Sequence, residues 1–169
     1  MHMLHLLRHA KSERDQPVAD KERQLSRRGR DAARRVGQTL PDAVGPLDLV
    51  LCSPSVRTRE TAELVLAGYV APPSIVYDDA IYLAGPGALL RRLRQLDEAD
   101  GTVLVIGHNP GLHELAVALA APASPRYTAL AGGKFPTAAR ASFRVDGTWA
   151  NLDRGRHALT DYVTAKSLA

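Results

Sequence analysis

Two histidines stand where a chain could use them as reagents. Arg8-His9 follows the apolar run Met3–Leu7, and Gly107-His108-Asn109-Pro110 follows the apolar run Thr102–Ile106. A third apolar run, Leu47–Cys52, ends at Ser53-Pro54, with Arg57 four residues beyond Ser53. Two imidazoles and two guanidiniums gathered at one edge make a cationic pocket rich in donors. A phosphoryl group is its natural guest, because Arg binds phosphoryl oxygens in pairs and helix N-termini favour anions. A neutral imidazole can also attack phosphorus and form a covalent intermediate that water then cleaves. Taken singly, each residue has an ordinary explanation as an exposed charge or a histidine satisfied beside a helix. Their joint placement at three strand ends is what points to a pocket.

The elements that must hold these residues are legible in the hydropathy pattern. Residues 3–7, 47–52, 74–77 and 102–106 read as strands, the last as a buried one. Residues 10–25 are polar and non-periodic, a loop. From Arg27 to Leu40, Gly29, Ala33, Val36 and Leu40 share one face of a helix that Ser26 can cap. Ser53-Pro54 reads as an N-cap followed by proline at the first helical position, opening a helix to about Ala67. Pro86–Leu96 reads as another helix, and Asn109-Pro110 repeats the cap-and-proline device for a helix with Leu112, Leu115, Ala116 and Leu119 inward. The tail carries β-like segments near 141–145, 148–152 and 159–163, able to add antiparallel strands. Alternating strands and helices imply an α/β fold with a mostly parallel central sheet flanked by helices, whose ligands bind beyond the carboxyl ends of the strands.

Composition narrows the function classes. A chain of 169 residues fits one domain, taken as 1–169. Cys52, the single cysteine, excludes an intramolecular disulfide and any multi-cysteine metal site, and fits a reducing cytoplasm. A phosphatase loop with a cysteine nucleophile needs Arg at position 58, which is Thr, so Cys52 reads as a buried strand residue. The net charge is +4, yet residues 1–35 hold 10 basic and 5 acidic side chains, so the excess is N-terminal. Arg27, Arg30, Arg34 and Arg35 lie on the polar face of the first helix, whereas Lys11, Arg14, Lys21 and Arg23 lie on the loop bordering the pocket. This distribution argues against nucleic acid as a partner. No apolar run approaches the ~20 residues of a membrane span, and no membrane partner is expected. No metal-ligand spacing or Walker motif occurs, so no metal or cofactor is expected. His5 packs within the first strand, His113 lies on the helix beyond the pocket, and His2 and His157 read as surface residues.

Three segments in this order resemble the histidine phosphatase (phosphoglycerate-mutase-like) superfamily: Leu7-Arg8-His9-Ala10-Lys11-Ser12, Ser53-Pro54-Ser55-Val56-Arg57-Thr58-Arg59-Glu60-Thr61-Ala62, and Gly107-His108-Asn109-Pro110. The chain is most similar to the SixA-like phosphohistidine phosphatases. It shares their Arg-His-Ala form, Asp20-x-x-Arg23-x-Leu25-x-x-Arg28-Gly29, Lys134-Phe135-Pro136-Thr137, and the tail Tyr162-Val163-x-x-Lys166-Ser167-Leu168. The resemblance implies a phosphoglycerate-mutase-like three-layer fold. It implies that His9 is the nucleophile, that Arg8, Arg57 and His108 bind and stabilise the phosphoryl group, and that Asn109, Ser12 and Arg23 assist. Larger members place an acid after the third strand. Here Tyr77-Asp78-Asp79-Ala80-Ile81 offers no clear match and no long insertion. A phosphoramidate leaves as a neutral imidazole once its nitrogen is protonated, so it needs less help from a positioned acid. A shallow, open pocket and a phosphohistidine protein substrate are therefore expected, with the chain a monomer. Small phosphorylated metabolites, with Asp78 or Asp79 as the acid, and a non-catalytic phosphoprotein-binding module are the alternatives.

Overall fold

A computed structural model describes residues 1–168. Six strands form one sheet: β1 (His2–Arg8), β2 (Leu49–Cys52), β3 (Ser74–Tyr77), β4 (Thr102–Gly107), β5 (Arg140–Val145) and β6 (Ala158–Val163), in the order β3-β2-β4-β1-β5-β6. β3, β2, β4 and β1 run parallel, while β5 and β6 add an antiparallel edge. The helices are α1 (Arg27–Val44), α2 (Val56–Leu66), α3 (Pro86–Leu93), α4 (Gly111–Leu119) and α5 (Tyr127–Gly132). The mixed sheet flanked by helices is the expected α/β architecture.

Side-chain alternation along the strands sorts the core into two layers. Leu4, Leu6, Val103 and Val105 face one way, onto α3, α4 and the buried Trp149. Leu7, Leu104, Ile106 and Val50 face the other, onto α1 and α2. Every one of these strand side chains is essentially inaccessible, as continuous apolar runs in a doubly covered sheet should be. No described helix is long and apolar enough to cross a membrane.

Several elements differ from the sequence reading. Ser55, not Ser53, caps α2: its Oγ accepts from the Thr58 N–H, and Pro54 lies before the helix. Pro110 is itself the cap residue of α4, which begins at Gly111. α3 stops at Leu93, and α5 was not anticipated. Residues 148–152 form no strand, because the Glu98 carboxylate accepts the backbone N–H groups of Trp149 and Ala150. The indole N–H of Trp149 goes to the Asp100 carbonyl, and its ring stacks on His2 at 4.7 Å. His2 is thus half-buried and His157 fully buried, with the His157 Nδ1 accepting the Asp146 N–H; neither is a surface residue.

Two glycines are dictated by close approach. A Cβ at Gly29 would stand 1.9 Å from the Lys11 carbonyl oxygen, and one at Gly111 would stand 1.8 Å from that of Ala84. Both contacts press a helix start against a loop that borders the site.

Candidate active site

The order β2-β4-β1 makes the three motif-bearing strands immediate neighbours. Register then does the positioning. Arg8 pairs with Gly107, so His9 and His108 leave adjacent parallel strands side by side, and Cys52 pairs with Ile106, which brings Ser53 alongside. The ladder continues one step beyond the strands through His9 N–H to Gly107 O and Ser53 N–H to Ile106 O, each at 3.1 Å.

His9 is 6% exposed, and its Nδ1 lies 2.7 Å from the carbonyl oxygen of Ala10. A carbonyl only accepts, so Nδ1 carries the proton and Nε2 keeps a free lone pair. Burial above all lowers its pKa to about 3, with His108, Arg57 and Arg8 acting in the same direction and the Ala10 contact opposing. The imidazole is therefore neutral at physiological pH.

His108 stands beside it, ring centroids 5.4 Å apart and planes tilted by 57°. Its Nδ1 lies 3.3 Å from an Arg57 guanidinium nitrogen, which donates, so Nε2 carries the proton and donates to Ser53 Oγ at 2.7 Å. Burial, then the Arg57 charge, lowers its pKa to about 4. Ser53, read from sequence as a helix cap, is instead the partner that orients this histidine.

Arg57 is 2% exposed, far from the solvated charge its helical position suggests. It is held from outside by Asp20, through the backbone carbonyl at 2.8 Å and the carboxylate at 3.1 Å. The Asp20 carboxylate also accepts from Tyr82 Oη and from Arg23 Nε and an Arg23 terminal nitrogen. The Tyr82 hydroxyl, followed by Arg23 and Arg57, holds the Asp20 carboxyl well below the usual range. Tyr82 meets His108 edge-on at 5.4 Å. Sequence reasoning assigned no site role to Ser53, Asp20 or Tyr82. Asp20 acts across 37 and 62 positions of chain, which no local spacing reveals.

Arg8 and Asn109 converge from the other side. An Arg8 terminal nitrogen and Asn109 Nδ2 both donate to the Phe135 carbonyl, at 3.1 and 2.8 Å. Asn109 thus fastens the 134–137 segment rather than capping α4. Ser12 and Arg23 are engaged with each other: Arg23 donates to Ser12 Oγ at 2.6 Å and to the Glu13 carbonyl at 2.9 Å. Together they brace the loop that carries Asp20. Thr61 ties that loop's base to α2, accepting the Ala10 N–H and donating to the Arg57 carbonyl.

Asp78 and Asp79 lie outside this cluster. The Asp78 carboxylate takes Arg92 Nε at 2.5 Å and the Ala80 N–H, and the Arg92 contact foremost lowers its pKa. Asp79 is exposed and pairs loosely with Lys21 at 3.7 Å. Cys52 is fully buried, its thiol pushed up to about 12 by burial, as expected of a strand residue. Among the described residues, no group of three or more His, Cys, Asp or Glu side chains is placed to hold a metal ion.

A neutral, tautomerically fixed imidazole beside an imidazole, two guanidiniums and a strand-end amide can bind a phosphoryl group and receive it on nitrogen. Comparison with known proteins supports a phosphatase. Residues 4–79 match the model of the histidine phosphatase superfamily (branch 1). An uncharacterized protein of Mycobacterium tuberculosis is 36% identical over 159 residues, 92% of this chain and 98% of that one. Two solved structures, both provisionally named phosphohistidine phosphatase SixA, superpose closely. The one from Nakamurella multipartitia has a TM-score of 0.83 and 28% identity, covering 96% of this chain and 95% of that chain. The one from Agrobacterium tumefaciens has a TM-score of 0.80 and 26% identity, covering 96% and 97%. With its three strand-end motifs brought to one edge of a phosphoglycerate-mutase-like sheet, the chain belongs to the histidine phosphatase superfamily and is SixA-like within it.

Proposed function

We propose that this phosphatase removes the phosphoryl group of phosphohistidine on a protein, through a covalent intermediate on His9 Nε2. The observation that carries the reading is the state of His9. Its Nδ1 proton is committed to the Ala10 carbonyl and its pKa is lowered to about 3, so Nε2 is an unprotonated nucleophile at neutral pH. In the first step the Nε2–P bond forms as the substrate's P–N bond breaks. The departing imidazole takes up a proton from solvent on a ring nitrogen and leaves neutral. In the second step water attacks phosphorus, the Nε2–P bond breaks, the water's proton passes to solvent, and inorganic phosphate departs. Arg8, Arg57 and His108 bind the three equatorial oxygens' charge, which is most of what phosphoryl transfer asks of a protein.

The carboxylates favour a phosphoramidate over an ester. Asp20 and Asp78 are both held ionised by basic or hydroxyl partners, so neither carries a proton for an alkoxide at neutral pH. An imidazole leaving group can take its proton from solvent on a ring nitrogen and so does not require a protonated carboxylate beside it. The names of the two similar solved structures point the same way.

The test is a substrate panel of a phosphohistidine protein, an aryl phosphate, sugar phosphates and nucleotides, each with His9→Ala as control. The reading predicts preferential hydrolysis of phosphohistidine, abolished by His9→Ala. Turnover of a sugar phosphate with none of phosphohistidine contradicts it.

A further inference from the structure

The loop cations that border the site are not equivalent. Lys21 pairs with Asp79 and Arg23 with Asp20, so both are partly neutralised. Lys11 and Arg14 enter no ion pair among the described residues. They line a groove of about 470 Å³ together with Arg8, Asn109, His113 and Lys134, and no carboxylate is among its lining residues. Lys11, Arg14, Gly133 and Lys134 are exposed along it, leaving it open at the surface.

One wall of this groove is built to stay in place. The Tyr162 hydroxyl donates to the Lys134 carbonyl at 2.9 Å. Phe135 is buried and stacked between His113 and Tyr162, with centroids 5.6 and 5.9 Å away. His113 is fixed in turn by the Leu130 carbonyl at 2.8 Å. The Phe135 carbonyl, as described, receives Arg8 and Asn109. The groove and the phosphoryl pocket therefore share Arg8, and whatever lies in the groove lies beside the group held at His9.

We propose that this groove binds an acidic segment of the protein substrate, with Asp or Glu side chains near the phosphorylated histidine meeting Lys11, Arg14 and Lys134. The inference rests on the phosphohistidine-protein reading and deepens it by naming the neighbouring sequence chemistry. Charge complementarity carries it: three unpaired cations, no competing carboxylate, and a rigid wall whose exposed Gly133-Lys134 backbone leaves room for a polypeptide to lie along it. Such contacts set selectivity and encounter rate more than maximal affinity.

The experiment measures kcat/KM for the full chain on p-nitrophenyl phosphate and on two histidine-phosphorylated peptides, one with acidic and one with neutral flanks. Wild type and the Arg14→Glu/Lys134→Glu variant are compared at low and moderate salt. The proposal expects wild type to prefer the acidic peptide by roughly fivefold or more at low salt, a preference weakened by salt. It expects the double variant to lose or invert that preference while hydrolysing p-nitrophenyl phosphate within about twofold of wild type. Equal use of the two peptides by wild type overturns the groove assignment and leaves the phosphohistidine reading standing. A preference that survives the double variant does the same. Turnover of p-nitrophenyl phosphate with neither peptide hydrolysed overturns the phosphohistidine reading and this inference with it. A small bisphosphate whose inhibition depends on Arg14 and Lys134, with no effect of peptide flanks, would make the groove a metabolite subsite and overturn the proposal.

Discussion

Replacing Ser53 by Ala separates two roles that the same residue could have had. As a helix cap, Ser53 would contribute ~1 kcal/mol of stability and nothing to chemistry. In the structure it is wholly buried and accepts the His108 Nε2 proton at 2.7 Å, while Ser55 caps α2. The alanine variant leaves that buried N–H without its acceptor, which costs about 1–3 kcal/mol. The ring can recover part of this only by rotating, and rotation takes Nδ1 away from the Arg57 guanidinium 3.3 Å distant. If about 1.4 kcal/mol of the loss falls on the positioning of His108 in the transition state, the rate drops tenfold. The expected result is therefore a fall of about tenfold in kcat on an aryl phosphate, with a ring-nitrogen NMR signal showing altered protonation of His108. Denaturant unfolding of the same variant reports the stability part. A variant that loses about 1 kcal/mol of stability but keeps kcat within twofold of wild type would refute the positioning role and restore the cap.

Other consequences follow from the same geometry. Because the pKa values of His9 and His108 are lowered to about 3 and about 4, both stay neutral well below pH 6, and an NMR titration should show neither ring protonating near 6.5. Buried His5, lowered to about 4, joins them in stability. The unfolded chain binds more protons than the native one between pH 6.5 and these folded values. Stability from the three is complete above about 6.5 and declines as pH falls toward 4, by up to roughly 1.4 kcal/mol per pH unit for each, which Tm against pH will show. Asp20→Asn should lower kcat about three- to tenfold with KM unchanged or reduced, since Arg57 loses a carboxylate anchor while the pocket becomes more cationic. A raised KM with unchanged kcat would contradict that positioning role. Gly111→Ala drives a Cβ to 1.8 Å from the Ala84 carbonyl and should cost ~2 kcal/mol or more in denaturant unfolding.

The strands were legible because a buried parallel strand is a short apolar run with a sharp end, and Met3–Leu7 and Thr102–Ile106 are both. The placement of His9 and His108 side by side at one sheet edge was legible for the same reason, since both stand just past those ends. The details that failed are those decided by partners far along the chain. Ser53 reads as the cap of α2, but its hydroxyl is taken by the buried His108 N–H and Ser55 caps the helix. Residues 148–152 read as a β-like segment between Gly and Asp turns, yet Glu98 takes the backbone N–H groups a ladder would need. Arg57 reads as part of the pocket, but the Asp20 contacts that hold it there span 37 positions of chain and were not legible. His157 sits in a polar stretch and is nevertheless buried, because its ring accepts the Asp146 N–H.

The proposed mechanism requires His9 to carry the phosphoryl group during turnover. Rapid quenching of the wild-type chain with a phosphorylated substrate, followed by mass spectrometry under mildly alkaline conditions that preserve phosphohistidine, tests it most directly. The expected result is one transient phosphoryl group on the peptide containing His9, formed and lost at rates compatible with kcat and absent from His9→Ala. Turnover at the wild-type rate by His9→Ala, or a phosphoryl group trapped on another residue, would contradict it.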